Sequence, residues 1–402
     1  MAGLLSGVRV LETGVLMTVD NLGRLLGDEG ADVVKVESPQ GGDYLRDIMT
    51  RFAPGWSAFH VMLNRNKRSV AIDARSGEGQ RVLGRLVAWA DVFITGNIGA
   101  TNAKLGLDYE TVRRLNPGIV YCQATGYGAA GPYAEVPTHG MMMDELGGST
   151  PLLETVAGVA RQAAGQAHRG SLGVVIGPLH AAFGVASALV RKARTGDGCY
   201  LDVSCADAVL AASWVDALSV FNPELVDPTG PTSSPAESAK YQHYATKDGK
   251  FVLFCGIEAK FWDHFCDAVG RDDLRGGHRR DVVVDFGQDD DALRAELQRI
   301  FSTRTLAEWM ATAVQYDIAM GPALQLFETR DDPHLSARTM VVAEDHPAVG
   351  RLETIGNPLR VPGEEFTVRS APSLGQHTDE VLLELGWTPG DLADLRSAGV
   401  IR

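Results

Sequence analysis

Residues 7–37 read GVRVLETGVLMTVDNLGRLLGDEGADVVKVE, and this stretch decides the fold class. Gly7 to Thr13 carries β-branched and apolar side chains at the density of a buried strand. Asn21 to Glu29 has apolar residues at helical spacing, and Gly30 stands where a left-handed C-cap closes a helix. ADVVKVE, residues 31–37, then reads as a second strand. Strand, helix and strand at this length make a βαβ unit, whose two strands run parallel.

The alternation continues outward. SVAID (69–73), DVFITGN (91–97), GIVYCQATGYG (118–128) and CYLDVS (199–204) read as strands. GEGQRVLGRLVAWA (77–90), Tyr109 to Leu115, the segment ending VRKARTGDG, and a segment running through Trp214 read as helices between and after them. Such alternation predicts an α/β chain, a Rossmann-like parallel sheet with helices on both faces. The first turn, ETGVLMTVDNLGRLLG (12–27), has no GxGxxG, and the chain has no GxxxxGK[ST]. Those motifs let pyrophosphate approach the backbone, so their absence counts against NAD or flavin at this first turn and against a P-loop nucleotide site.

From 222 to 239 the text changes to NPELVDPTGPTSSPAESA, whose Pro, Ser and Thr content reads as a linker. Beyond it, YQHYATKDGKFVLFCGIE predicts a hairpin turning at Asp248-Gly249. Helices are expected at Ala259 to Val269, Asp291 to Phe301 and Thr305 to Val314, the last opened by a Thr305–Glu308 capping box. The expected division is 1–221 for a large domain, 222–239 for the linker, and 240–330 for a small α+β domain. Residues 331–402 return as short strands and a terminal helix to complete the large one.

Composition narrows the function. The chain has 402 residues, 45% of them apolar and 22% charged, with a net charge of −14. That charge excludes a global footprint for nucleic acid or an anionic membrane, and a small anionic ligand needs a local cationic pocket. The five cysteines, Cys122, Cys199, Cys205, Cys255 and Cys266, form no CxxC pair and read as reduced residues of a cytoplasmic protein. The N-terminus lacks the basic region and apolar core of a signal peptide. Between Gly170 and Val190 only His180 can carry charge, but Pro178 and several Gly and Ser favour a buried strand-to-helix element over a membrane span.

Several strings together resemble family III CoA-transferases, the CaiB/BaiF-like superfamily of formyl-CoA transferase, carnitine CoA-transferase and α-methylacyl-CoA racemase. They are LSGVRVLET, GADVVKVESPQGGDYLR, NRNKRSVAID, ADVFITGN and LGLDYETVRRLNPGIVYCQATGYGAAGPYA, then RTGDGCYLDVSCADA, DGKFVLFCGIEAKFW, GPALQ and LGQHTDEVLLELG. They fall in the family's order and span nearly the whole chain. The resemblance implies two subunits interlocked like links of a chain, with coenzyme A or its acyl esters as substrate and no metal, NAD or flavin.

It also implies residues. The family's CoA contacts fall on Leu16 and Met17, Arg75, Asn97 and Ile98, and Lys104 and Leu105. Ser38 stands where many members place a basic residue. Family transferases use an aspartate nucleophile shortly before the RTGxG helix, and counting back from Thr195-Gly196 that position is Val174. Valine can neither attack a thioester nor carry a proton. The racemase branch adds a histidine from a GHD motif; here THGMMMDELGG keeps His139 but places Gly140 where the aspartate stands. Asp144 or Glu145 is a candidate substitute nucleophile, or else an acid in the first turn of a helix, and Glu258 matches a glutamate of the racemase branch near the active-site mouth.

Three readings follow. The chain is the non-catalytic subunit of a heteromeric CoA-transferase (of the benzylsuccinate CoA-transferase kind), paired with a homologous subunit carrying an intact aspartate. Alternatively it pairs with a second copy of itself and moves CoA between carboxylic acids through Asp144 or Glu145. The third reading is a non-enzymatic acyl-CoA-binding scaffold.

Overall fold

The computed structural model describes residues 3–151, 153–156, 158–162, 171–227, 238–287 and 290–402. Six strands form one parallel sheet in the order Lys67–Ala71, Asp32–Glu37, Arg9–Thr13, Val92–Thr95, Val120–Thr125, Cys199–Ser204. Strand order reverses between Arg9–Thr13 and Val92–Thr95, and in such sheets ligands bind at the strand ends beside that reversal.

Side chains alternate across the sheet, so each strand serves two cores. Leu11, Val34, Phe93 and Tyr121 face the helices Gly77–Trp89 and Tyr109–Leu115 and the C-terminal helices Thr378–Glu384 and Pro389–Ser397. Val10, Val33, Ile94 and Cys122 face the helices Met17–Asp28 and Gly173–Thr195. The Rossmann-like α/β reading is therefore the observed fold, with helices on both faces.

The first helix differs from its expected span: it begins at Met17, not Asn21. Thr18 and Val19 are β-branched and look strand-like locally. The turn before them is held from a distance, by the Leu16 N–H donating to the Asp43 carboxylate at 3.0 Å. Leu16 accordingly has a φ of 70°. The helical segment through Trp214 is two helices, Cys205–Ala212 and Trp214–Phe221.

Gly173–Thr195 is the one described helix long and apolar enough to cross a membrane. Gly173, Gly177, Ala181, Val185 and Ala188 form its buried side, whereas Leu179, Phe183 and Val190 are exposed. The expected buried strand-to-helix element is thus a single helix over 173–195, packed on one side only. Residues 163–170 lie outside the described residues.

The chain clusters into two units, one of residues up to 223 together with 340–402, and one of residues 224–339. Of the linker expected at 222–239, residues 228–237 lie outside the described residues. The second unit is built on an antiparallel sheet of Tyr241–Ala245, Phe251–Cys255 and Met320–Pro322. The helices Ala259–Val269, Asp291–Phe301 and Leu306–Tyr316 complete it, the last opened by the Thr305–Glu308 capping box. Its centre is aromatic: Tyr244, Phe254, Trp262, Phe265, Phe301 and Trp309 are buried in mutual contact.

Candidate functional site

A cleft of about 270 Å³ opens at the C-terminal ends of the strands flanking the reversal. Thr13 to Val15 border it after the first strand, Glu37, Ser38 and Gln40 after the second, Ile72 to Arg75 after the third and Asn97 after the fourth. Val36, Ile72, Leu83, Leu105 and Leu107 give it apolar walls. Of the residues implied as CoA contacts, Arg75, Asn97 and Leu105 line this cleft. Leu16, Ile98 and Lys104 each adjoin a lining residue without lining the cleft themselves, and Met17 lies one residue further on: Leu16 and Met17 start the first helix, Ile98 caps Gly99–Lys104, and Lys104 is exposed at its end.

Beneath the cleft lies a buried charge network. The Lys35 ammonium contacts Asp20 and donates to Asp43 at 2.8 Å, and the Lys67 ammonium donates to Glu12 at 3.0 Å and to Asn64 at 3.1 Å. Burial pushes the Glu12 carboxyl up to about 8; Lys67 and Lys35 oppose the rise and Asp20 adds to it. For Glu37, burial also pushes upward, but the Arg46 guanidinium bonds both carboxylate oxygens, Ser69 adds a hydroxyl, and the carboxyl settles at about 2. The His60 imidazole, buried against Arg46, is pushed down to about 3. These groups fix the strand ends and leave the Glu37 and Asp43 carboxylates already satisfied at the cleft wall.

The position singled out at Val174 lies in the first turn of Gly173–Thr195. Pro178, four residues on, has no N–H, so the Val174 carbonyl lacks its helical donor. The Asn21 side-chain amide supplies one instead, donating at 2.9 Å. Asn21 is oriented in turn by Arg24, which bonds its carbonyl oxygen at 2.8 and 3.0 Å, and Arg24 is held by Asp28. Gly177 packs on Cys205 so closely that a Cβ there would sit 2.3 Å from the sulfur. The backbone at 174 is therefore fixed from two sides, and its side chain is hydrocarbon.

Asp144 is committed to the same helix start. Its two oxygens accept from Gly173 N–H at 2.7 Å, Leu172 N–H at 2.9 Å and the Ser171 hydroxyl at 3.1 Å. Asp144 thus caps a helix other than its own, Met141–Leu146, with both carboxylate oxygens engaged by donors at that helix start. Gly140 faces the same neighbour, since a Cβ there would meet Ser171 at 3.6 Å. His139 and Glu145 are exposed. Glu258 stands at the N-cap of Ala259–Val269 in the second unit and makes no side-chain cap bond.

Sequence reading missed Asn21, Asp43, Lys35 and Glu12. For Asn21, Lys35 and Glu12 the one signal was charge or amide within a strand or helix; Asp43, in a loop, carried none. All five cysteines are free thiols. Among the described residues no group of three or more His, Cys, Asp or Glu could hold a metal.

Comparison with known proteins accords with this geometry. The description "CoA-transferase family III" matches residues 5–378. The chain is 31% identical to the succinyl-CoA–L-malate CoA-transferase beta subunit of Chloroflexus aurantiacus, over 99% of this chain and 98% of that one. It is also 31% identical to the succinate–glutarate CoA-transferase of Agrobacterium fabrum, over 95% of each. Among solved structures, a CaiB/BaiF family protein from Brucella suis superposes with a TM-score of 0.74 at 27% identity, covering 96% of this chain and 100% of that one. The chain belongs to CoA-transferase family III.

Proposed function

We propose that the chain is the non-catalytic subunit of a heteromeric CoA-transferase, holding a CoA ester while a homologous subunit supplies the nucleophile. The observation that carries this reading is the Val174 site. Its backbone is clamped by Asn21 at 2.9 Å, yet the side chain offered there is valine. In family chemistry a carboxylate at this position attacks the thioester carbonyl, the C–S bond breaks and CoA thiolate leaves. The thiolate then adds to the mixed anhydride, releasing the acyl group as its carboxylate and leaving an aspartyl-CoA thioester. Valine supports none of these steps, and Asp144, engaged by three donors, is no substitute.

Two further features favour a partner. Phe183 and Trp214 are 75% and 62% exposed, and Leu179, Leu218 and Phe221 are exposed with them on the helices of 173–195 and 214–221. Apolar surface of this kind is ordinarily covered by another chain. One relative also bears the designation "beta subunit". We place the assembly in the cytoplasm, where five free thiols stay reduced.

The test is purification from the native host followed by transfer assays with succinyl-CoA and acetyl-CoA donors. The reading expects a co-purifying homologue with an aspartate at the position of Val174, activity of the pair, and none from this chain alone. Turnover by the chain alone, with a hydroxamate formed on it in the presence of hydroxylamine, would refute it.

A further inference from the structure

The cleft is poor in the charge that a CoA ester would ask for. CoA presents two separate anionic groups, a pyrophosphate and a 3′-phosphate on the ribose. Among the described residues, Arg75 is the single lysine or arginine lining the cleft, beside three carboxylates, Glu37, Asp43 and Asp73. Arg46 is buried, and its guanidinium is taken up by Glu37, His60 and the Pro372 carbonyl. The N–H of Leu16 at the first turn is occupied by Asp43, and that of Ala100 by Glu135.

In dinucleotide-binding sheets of this order, an acid beyond the second strand binds a free ribose 2′-hydroxyl and an arginine accommodates a ribose 2′-phosphate, and the same strand end here would set the choice for a ribose phosphate. Here that end offers Glu37, Ser38 and Gln40. The Ser38 hydroxyl donates to the Gln40 side-chain oxygen at 2.9 Å, so the two neutral groups are bound to each other. The other uncharged polar side chains at the cleft are Thr13 and Asn97.

We propose that this cleft recognises the neutral parts of its ligand, the purine, the ribose and the pantetheine amides, and draws almost no affinity from the 3′-phosphate. Ser38 sets that indifference. The chain therefore takes dephospho-CoA and its esters as readily as CoA. This inference rests on the reading of the cleft as the CoA site.

The experiment is calorimetric titration of the full chain, alone and with its co-purified partner, using CoA and dephospho-CoA at two salt concentrations. The two dissociation constants are expected within about threefold of each other, with a shallow salt dependence, because a charge-assisted contact worth about tenfold is absent. Ser38→Arg is expected to tighten CoA by about tenfold and leave dephospho-CoA within about twofold. A wild-type preference of about tenfold or more for CoA overturns the inference while leaving the CoA site standing. So does an arginine at 38 that strengthens both ligands equally. Binding of neither ligand overturns the CoA-site reading itself, and this inference with it.

Discussion

The side-chain amide of Asn21 donates to the backbone carbonyl of Val174 at 2.9 Å, across 153 residues of chain. The bond exists because Pro178 removes the amide that would otherwise reach that carbonyl. It joins the helix Met17–Asp28 to the first turn of Gly173–Thr195.

Replacing Asn21 tests the clamp. Asn21→Leu leaves the Val174 carbonyl without a donor and is expected to cost roughly 1–2 kcal/mol in urea denaturation. Pro178→Ala restores an amide four residues on, so in the Asn21→Leu background it should recover part of that loss. A double-mutant cycle with no coupling between the two sites would show that the carbonyl is satisfied otherwise.

Asp144 makes a second prediction. With three donors on its two oxygens, Asp144→Ala should destabilise the folded chain by about 1–3 kcal/mol, the cost of unsatisfied donors at a helix start. In the reconstituted enzyme, the specific activity of the folded fraction should stay unchanged. Loss of turnover in an Asp144→Asn variant of wild-type stability would instead place this carboxylate in the chemistry.

The buried network predicts a pH dependence. Glu12 has a folded value of about 8 against an ordinary 4.5. The folded chain therefore holds a proton that the unfolded chain releases, so this contribution is complete below about 4.5 and is lost as pH rises towards 8. Glu37 has the opposite sign: its contribution is present above 4.5 and is lost as pH falls towards 2. Wild-type stability should decline between pH 5 and pH 8 more steeply than that of Glu12→Gln, which cannot titrate. Equal slopes from denaturation at three pH values would remove Glu12 from the account.

What the sequence made legible was local or periodic. The Thr305–Glu308 capping box lies within one turn, and the CYLDVS strand at 199–204 carries its own pattern. Val10 and Leu11 face opposite cores because strand period alone requires it. The start of the first helix was not legible, since Leu16 is held by Asp43 across 27 residues. Nor was the engagement of Asp144 by the start of another helix, nor the Asn21 clamp on residue 174. In each, a polar side chain serves a backbone group distant in sequence, and neither spacing nor propensity records such a pairing. That Val174 stands where a carboxylate is expected is read from its spacing to Thr195-Gly196 alone, and substitution is what tests it.

That position yields the most direct prediction. Val174 is half-buried in a first helical turn, where backbone dipoles favour a negative charge. Val174→Asp should fold, since Asn21 holds the backbone and not the side chain. If the chain retains the geometry of a CoA-transferase, the new carboxylate should attack a bound acyl-CoA, expel CoA thiolate and form the mixed anhydride. Hydroxylamine should then trap a hydroxamate on the peptide containing residue 174, visible by mass spectrometry and absent from wild type. A folded Val174→Asp variant that binds acyl-CoA and never yields the adduct would mean that more than the nucleophile is missing. Gly140, whose absent side chain would face Ser171 at 3.6 Å, would be the next residue to restore.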